Sequence, residues 1–152
     1  MASGPLRRIL LATDFSHASA RALVEAVALA RAQGARLLVL HVLTPPSPFV
    51  HGPLPPSWVE LEVHARRLAE RKLARLVATA SRTGVRASGA LIAGTPGPTI
   101  ARRAKRERAD VIVIGTHGRS GLGRLFVGSV AAQVLQLARC PVVTVRGRSR
   151  AR

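Results

Sequence analysis

The sequence predicts an α/β protein: one open, five-stranded parallel sheet with helices on both faces. Three observations carry this. Short, continuously apolar runs suit strands buried on both faces. Stretches of helical periodicity alternate with them, and no internal repeat breaks the rhythm. With 152 residues and 47% hydrophobic content, the chain has the length of one domain with one sizeable core. Residues 1–152 are therefore expected to fold as a single unit.

Ile9 to Thr13, ILLAT, is the first strand, ending at Asp14. Ser16 has the chemistry of an N-cap, and Ala20, Leu23, Val27 and Ala30 then recur at helical spacing until Gly34. Leu37 to Leu43, LLVLHVL, is a second buried strand. Six prolines crowd the stretch 44–57, which predicts a long exposed loop without helix or ladder. From Trp58 to Ser81 the period returns to that of a helix, with Leu61, Ala65, Ala69, Leu73, Leu76 and Ala80 on one face. Gly84 ends it. Val85 to Ile92 alternates weakly, as a strand near a sheet edge does. Gly94-Thr95-Pro96-Gly97-Pro98 is a turn that places Pro98 near the start of a helix running to Arg108. Asp110 introduces the fourth strand, VIVI. A helix from Ser129 to Ala138, with Ala131, Val134, Leu135 and Ala138 inward, and the strand PVVTV complete the pattern, leaving a basic tail at 146–152 that is expected to be disordered.

Several classes are disfavoured by composition. No apolar run approaches the roughly 20 residues needed to cross a bilayer, and the N-terminus lacks a signal-peptide pattern, so a cytoplasmic protein without a membrane partner is expected. Cys140 is the single cysteine, which excludes an internal disulfide. The net charge of +17 comes almost wholly from arginine and would attract polyanions. Yet the arginines are spread over every segment, and aromatics make up only 3% of the chain, so base-stacking surface is scarce. Nucleic acid is thus a secondary expectation, and a solvated arginine-rich surface the primary one.

The chemistry gathers in Gly115 to Ser129, GTHGRSGLGRLFVGS, between the fourth strand and the fourth helix. Glycines there admit close approach of backbone N–H groups to an anion, and the helix start adds its positive dipole end. The stretch is neither a P-loop nor a dinucleotide fingerprint. In open parallel sheets ligands sit beyond the carboxyl ends of the strands, where strand order reverses. If the first and fourth strands are neighbours, Asp14 and Gly115 face one crevice. Asp14 is alternatively a cap for the first helix. Arg119 and Arg124 are placed to neutralise phosphate charge or simply to be solvated. His117 and His17 lie near the crevice but lack an orienting partner, His41 reads as a packed strand residue, and His51 and His64 as surface positions.

The pattern Gly115-x2-Gly118-x9-Gly128-Ser129, Ala-Thr-Asp14-Phe-Ser16 after the first strand, His41-Val42, Gly94-Thr-Pro96, and Asp110-Val-Ile-Val-Ile-Gly115 together resemble the universal stress protein family. The resemblance covers nearly the whole chain. It implies strand order 3-2-1-4-5, the adenine nucleotide alpha hydrolase-like fold, and a homodimer joined through the last strand, Val142–Val145. Because the glycine pattern is complete, the sequence is similar to the members that bind ATP. The resemblance places the nucleotide at Ala12, Thr13, Asp14, Val42, Gly115, Thr116, His117, Gly118, Arg119, Gly128, Ser129 and Val130. Mg2+ is a candidate co-ligand, with Asp14 as its candidate carboxylate.

Three functions follow from this reading. The first is an ATP-binding regulatory or stress-response module with slow or no hydrolysis, since no carboxylate pair and no P-loop lysine equip the loop for fast phosphoryl transfer. The second is a weak ATPase or nucleotide-handling enzyme using Asp14 with His117 or Arg124. The third is a polyanion or nucleic-acid-binding protein resting on the +17 charge alone.

Overall fold

The computed structural model describes residues 4–45, 53, 55–116 and 128–147. They form β1 (Arg8–Ala12), α1 (His17–Gln33), β2 (Arg36–Leu43), α2 (Pro56–Arg82), β3 (Arg86–Ala93), α3 (Pro96–Glu107), β4 (Val111–Thr116), α4 (Ser129–Leu137) and β5 (Val142–Arg146). The strands are all parallel and lie in the order β3-β2-β1-β4-β5, as expected.

Alternation along the strands divides the core into two layers. Ile9, Leu11, Leu37, Val39, Val111 and Val113 pack with Ala22, Ala26 and Leu73 of α1 and α2. Leu10, Ala12, Leu40, Val42, Ile112 and Ile114 pack on the other face with Ile100, Ala104, Ala131 and Val134 of α3 and α4. Both faces of β1 and β4 are thus covered, which is why Ile9–Ala12 and Val111–Ile114 are apolar at every position. Each fully buried Leu or Ile contributes about 1.5–3 kcal/mol through burial.

The ends of the elements follow local chemistry. Ser16 caps α1 by accepting the Ser19 N–H at 3.3 Å, and Gly34 closes it in the left-handed conformation at φ 63°. The Asp110 carboxylate accepts the N–H groups of Arg7 and Arg8 at 2.7 and 2.8 Å, tying the entry to β1 to the entry to β4.

Several expectations need correction. α2 begins at Pro56, inside the stretch read as loop, and α3 begins at Pro96 instead of Pro98. In both cases proline occupies the first helical turn, where its missing N–H costs nothing and its φ is already helical. Within 44–57, residues 46–52 and 54 lie outside the described residues. Arg146 is the last residue of β5, in register with Thr116, so the tail expected at 146–152 starts later; 148–152 lie outside the described residues. On α2 the inward face begins at Ala69; Leu61, at 67% exposure, and Ala65 are turned to the surface. Ala20 and Leu135 are exposed as well, because α1 presents Ala22 and Ala26, and the nine-residue α4 only Ala131 and Val134, to the sheet.

Candidate functional site: a cleft at the carboxyl ends of β1, β2 and β4

Strand order reverses at β1, whose neighbours β2 and β4 lead into connections on opposite faces, and a cleft of about 500 Å3 opens there. β1 contributes Ala12 and the following Thr13 and Asp14, β2 contributes His41 and Val42, and α4 contributes Gly128, Ser129 and Val130. Leu40, Pro96, Ile100 and Ile114 make its apolar wall.

The turn after β1 is built to hold Asp14 at the lip of the cleft. Thr13 is buried; its Oγ1 donates to Ser19 Oγ at 3.1 Å and accepts the Phe15 N–H at 3.1 Å. Asp14 Oδ1 accepts the Ser16 N–H at 3.0 Å. Between these bonds Phe15 adopts the left-handed conformation, φ 63°, which costs a residue with a β-carbon about 1–2 kcal/mol. Side-chain contacts oppose that cost. The Phe15 ring stacks on His41 with centroids 4.3 Å apart, and Lys72 Nζ sits 5.4 Å from its centroid. Asp14 is therefore not the cap of α1, a role Ser16 fills; its carboxylate fixes the turn that precedes the cap.

His41 is not merely a packed strand residue. Its Nδ1 lies 2.8 Å from the Thr13 carbonyl oxygen, an acceptor, so Nδ1 carries the proton and the ring is oriented at the cleft wall. The signal available in the sequence was a single imidazole among apolar residues near the end of a central strand.

The glycines differ in what they do. A β-carbon on Gly115 would sit 2.5 Å from the Ala18 carbonyl carbon and 2.6 Å from the Ser19 nitrogen. The first turn of α1 packs directly on β4 there, and this packing by itself excludes a side chain. Gly128 is the opposite case: a β-carbon would meet nothing within 4 Å among the described residues, and its φ of −56° suits any residue. It precedes α4, whose N-terminus has no side-chain cap, and Gly128 to Ala131 line the cleft. The helix start thus offers N–H groups and a positive dipole end to an anion.

Of the residues expected at the site, Ala12, Thr13, Asp14, Val42, Gly115, Gly128, Ser129 and Val130 line this one cleft. Thr116 does not: it is buried, and its hydroxyl donates to the Val145 carbonyl oxygen at 3.4 Å, toward β5. By strand alternation Thr116 shares the face of Ile114, and it is the hydrogen bond along the sheet to β5 that engages its hydroxyl. His117, Gly118, Arg119 and Arg124 lie outside the described residues. His17, the first residue of α1, is exposed and outside the cleft lining. Ser19, Leu40, His41, Pro96, Ile100, Ile114 and Ala131 also line it without having been singled out.

Among the described residues no three His, Cys, Asp or Glu side chains cluster as a metal site, and no helix is long and apolar enough to cross a membrane. Burial, aided by the negative charge of Asp110, pushes the Cys140 thiol up from its ordinary range, which disfavours the thiolate.

An open 3-2-1-4-5 sheet with a ligand-sized cleft at its switch point defines the adenine nucleotide alpha hydrolase-like class. Residues 5–146 match the universal stress protein family, and the chain belongs to it. It is 41% identical over 141 residues to a universal stress protein of Thermus aquaticus, covering 92% of this chain and 98% of that one. Universal stress protein UspA from Lactobacillus plantarum superimposes with a TM-score of 0.83 at 28% identity, over 95% of this chain and 100% of that one. The universal stress protein from Archaeoglobus fulgidus solved in complex with dAMP superimposes with a TM-score of 0.66 at 26% identity, over 93% and 98%.

Proposed function

We propose that the chain binds an adenine nucleotide in the cleft between Asp14 and Ser129, with ATP as its ligand, and acts as a regulatory module in a stress response. One observation carries the reading: one cleft combines an apolar wall of Val42, Ile100 and Ile114, the start of α4 without a side-chain cap, and the carboxylate of Asp14. A planar base fits the first, phosphates the second, and a base amine or ribose hydroxyl donates to the third. The Archaeoglobus fulgidus relative in complex with dAMP supports the same ligand class.

In this reading Ala12, Asp14 and Val42 hold the nucleoside, and Gly128, Ser129 and Val130 hold the phosphates, assisted by His117, Gly118 and Arg119. Among the described residues Asp14 is the one carboxylate lining the cleft. Mg2+ requires near-octahedral oxygen coordination, so nucleotide phosphates and water would supply most of its ligands. Binding is therefore better equipped than turnover, and the output is a conformational or oligomeric change.

Mass spectrometry of nucleotide released from the purified, denatured protein tests this. Adenine nucleotide in near-stoichiometric amount is expected. A protein that carries none, and that shows no heat on titration with ATP, AMP or dAMP, would refute the reading.

A further inference from the structure

A second cluster of charge lies at the other end of the sheet, remote from Asp14 and Ser129. Arg8, Arg36 and Arg86 are in register across β1, β2 and β3, so three arginines stand side by side on adjacent strands. With strands about 4.8 Å apart, their Cα atoms span about 10 Å. Like charges directly opposite one another destabilise a sheet, and hydrophobic or opposite-charge pairs would have served the fold better. Arg7, Arg106 and Arg108 border the same end.

Two clefts open on this ladder, of about 530 and 450 Å3, and both include Arg8 and Arg36. The guanidinium groups are partly held in place. Arg8 Nη1 donates to the Glu107 carbonyl oxygen at 3.2 Å and Arg86 Nη2 to the Gly34 carbonyl oxygen at 3.4 Å, leaving each with further donors. The acids of this end are otherwise engaged. The Glu107 carboxylate pairs with Arg103 at 2.7 Å, and Asp110 accepts the backbone N–H groups of Arg7 and Arg8. Among the described residues no carboxylate forms a salt bridge to Arg7, Arg8, Arg36, Arg86, Arg106 or Arg108.

An independent feature adds to the cluster. α1 ends on Gly34 in the left-handed conformation, whereas α3 ends on Arg108, φ 52°, in the same strained region. Glycine relieves that strain at no cost to the cap. The position instead keeps an arginine, beside Arg8 and Arg36 in the larger cleft.

We infer that the amino end of the sheet is a binding site for a compact oligophosphate anion, one presenting several phosphate groups within the span of the Arg8–Arg36–Arg86 ladder. Forked guanidinium groups match phosphate oxygens in pairs, which an ammonium does not. Concave walls favour a small ligand over a polymer lying along an open face. Near-absence of exposed aromatics beside the arginines removes the stacking platform that single-stranded nucleic acid uses. This site is separate from the nucleotide cleft, and the inference stands whether or not that cleft binds ATP.

The test is calorimetric titration of the full chain with inorganic tripolyphosphate at about 0.15 M salt, where the diffuse field of exposed charges is screened beyond about 8 Å. The double variant Arg36→Gln/Arg86→Gln is expected to lose at least about tenfold in affinity. Arg66→Gln/Arg71→Gln on α2 removes the same charge and is expected to change affinity by less than about twofold. Arg36→Lys/Arg86→Lys is expected to fail like the glutamine pair. Gly128→Val, which removes phosphate binding at the nucleotide cleft, is expected to keep the ladder site, and Arg36→Gln/Arg86→Gln in that background to abolish it. Urea midpoints establish that each variant folds. Absence of binding by the parent chain, equal losses in both glutamine pairs, full retention by the lysine pair, or no binding left in Gly128→Val would each overturn the inference. So would a short single-stranded oligonucleotide that displaces tripolyphosphate at equal phosphate concentration, since that marks a nucleic-acid backbone surface.

Discussion

His41 Nδ1 lies 2.8 Å from the Thr13 carbonyl oxygen, and this bond joins the Thr13 N–H to Leu40 carbonyl bond, 2.9 Å, in tying the end of β2 to the turn that carries Asp14. Removing the donor while keeping a ring separates its two roles. His41→Phe preserves an aromatic face for Phe15 but leaves the Thr13 carbonyl without its side-chain partner. A loss of about 1 kcal/mol in stability is expected from a hydrogen bond of this kind. Nucleotide affinity is expected to fall about three- to tenfold, because Asp14 is then less firmly oriented. Urea denaturation and calorimetric titration measure the two effects separately; an unchanged affinity would mean that the turn holds Asp14 without His41.

Gly115 and Gly128 are expected to respond in opposite ways. Gly115→Ala drives a methyl group into the backbone of Ala18 and Ser19, so a stability loss of about 1–3 kcal/mol or more is expected from overpacking against groups that cannot rotate away. Gly128→Val enters open space at an ordinary φ, so stability should change by less than about 0.5 kcal/mol. Its bulk stands at the phosphate end of the cleft, however, and nucleotide affinity is expected to drop at least about tenfold, or 1.4 kcal/mol. Thermal melts with and without ATP distinguish the pair.

Phe15 stores strain that side-chain packing offsets. Phe15→Ala removes the ring from His41 and Lys72 yet keeps the β-carbon in the left-handed region, and a loss of about 2 kcal/mol is expected. Phe15→Gly loses the same ring but relieves the strain, so it should be more stable than Phe15→Ala by about 1 kcal/mol. Equal stabilities of the two variants in chemical denaturation would show that the turn is unstrained.

The sheet could be read from the sequence because β1, β2 and β4 are apolar at successive positions, and the helices between them close on glycine or open on proline or serine. Strand order was reached through family resemblance, since apolar runs do not say which neighbours they pair with. The cleft was legible where a motif residue marked it, as at Asp14 and Gly128. Gly115 lines the cleft, but its closeness to Ala18 is a long-range packing fact that no local pattern encodes. His41 was undervalued for a related reason, because its partner, Thr13, is 28 residues away and offers only a backbone oxygen. The arginine ladder was equally hidden. Arg8, Arg36 and Arg86 are far apart in the chain, and only the parallel register brings them together.

The Cys140 thiol should be a poor nucleophile. Burial and the charge of Asp110 both raise its pKa, so the thiolate is scarcer than in a free cysteine at any given pH. Alkylation at pH 8 is expected to be slower than for a small free thiol, and to reach the free-thiol rate in denaturing urea. The same shift makes the folded state lose stability as pH rises from the unfolded thiol pKa toward the folded one, because only the unfolded chain releases its proton in that window. Rapid alkylation of the native protein would contradict this.

The edge of β5 is expected to be the homodimer contact. Val143 is 42% exposed on β5, the outermost strand of the described sheet, and an edge strand is a template for pairing with a second copy. Pairing of two such strands would bury Val143 and satisfy the outward-facing N–H and C=O groups together. Val143→Lys places a charge on that edge without entering the core, since Val145, and not Val143, packs beneath α1. Light scattering of the parent chain at micromolar concentration should give twice the chain mass, and the lysine variant should give the monomer mass with an unchanged circular dichroism spectrum. A parent chain that is already monomeric would refute the dimer, and a variant that remains dimeric would move the contact away from β5.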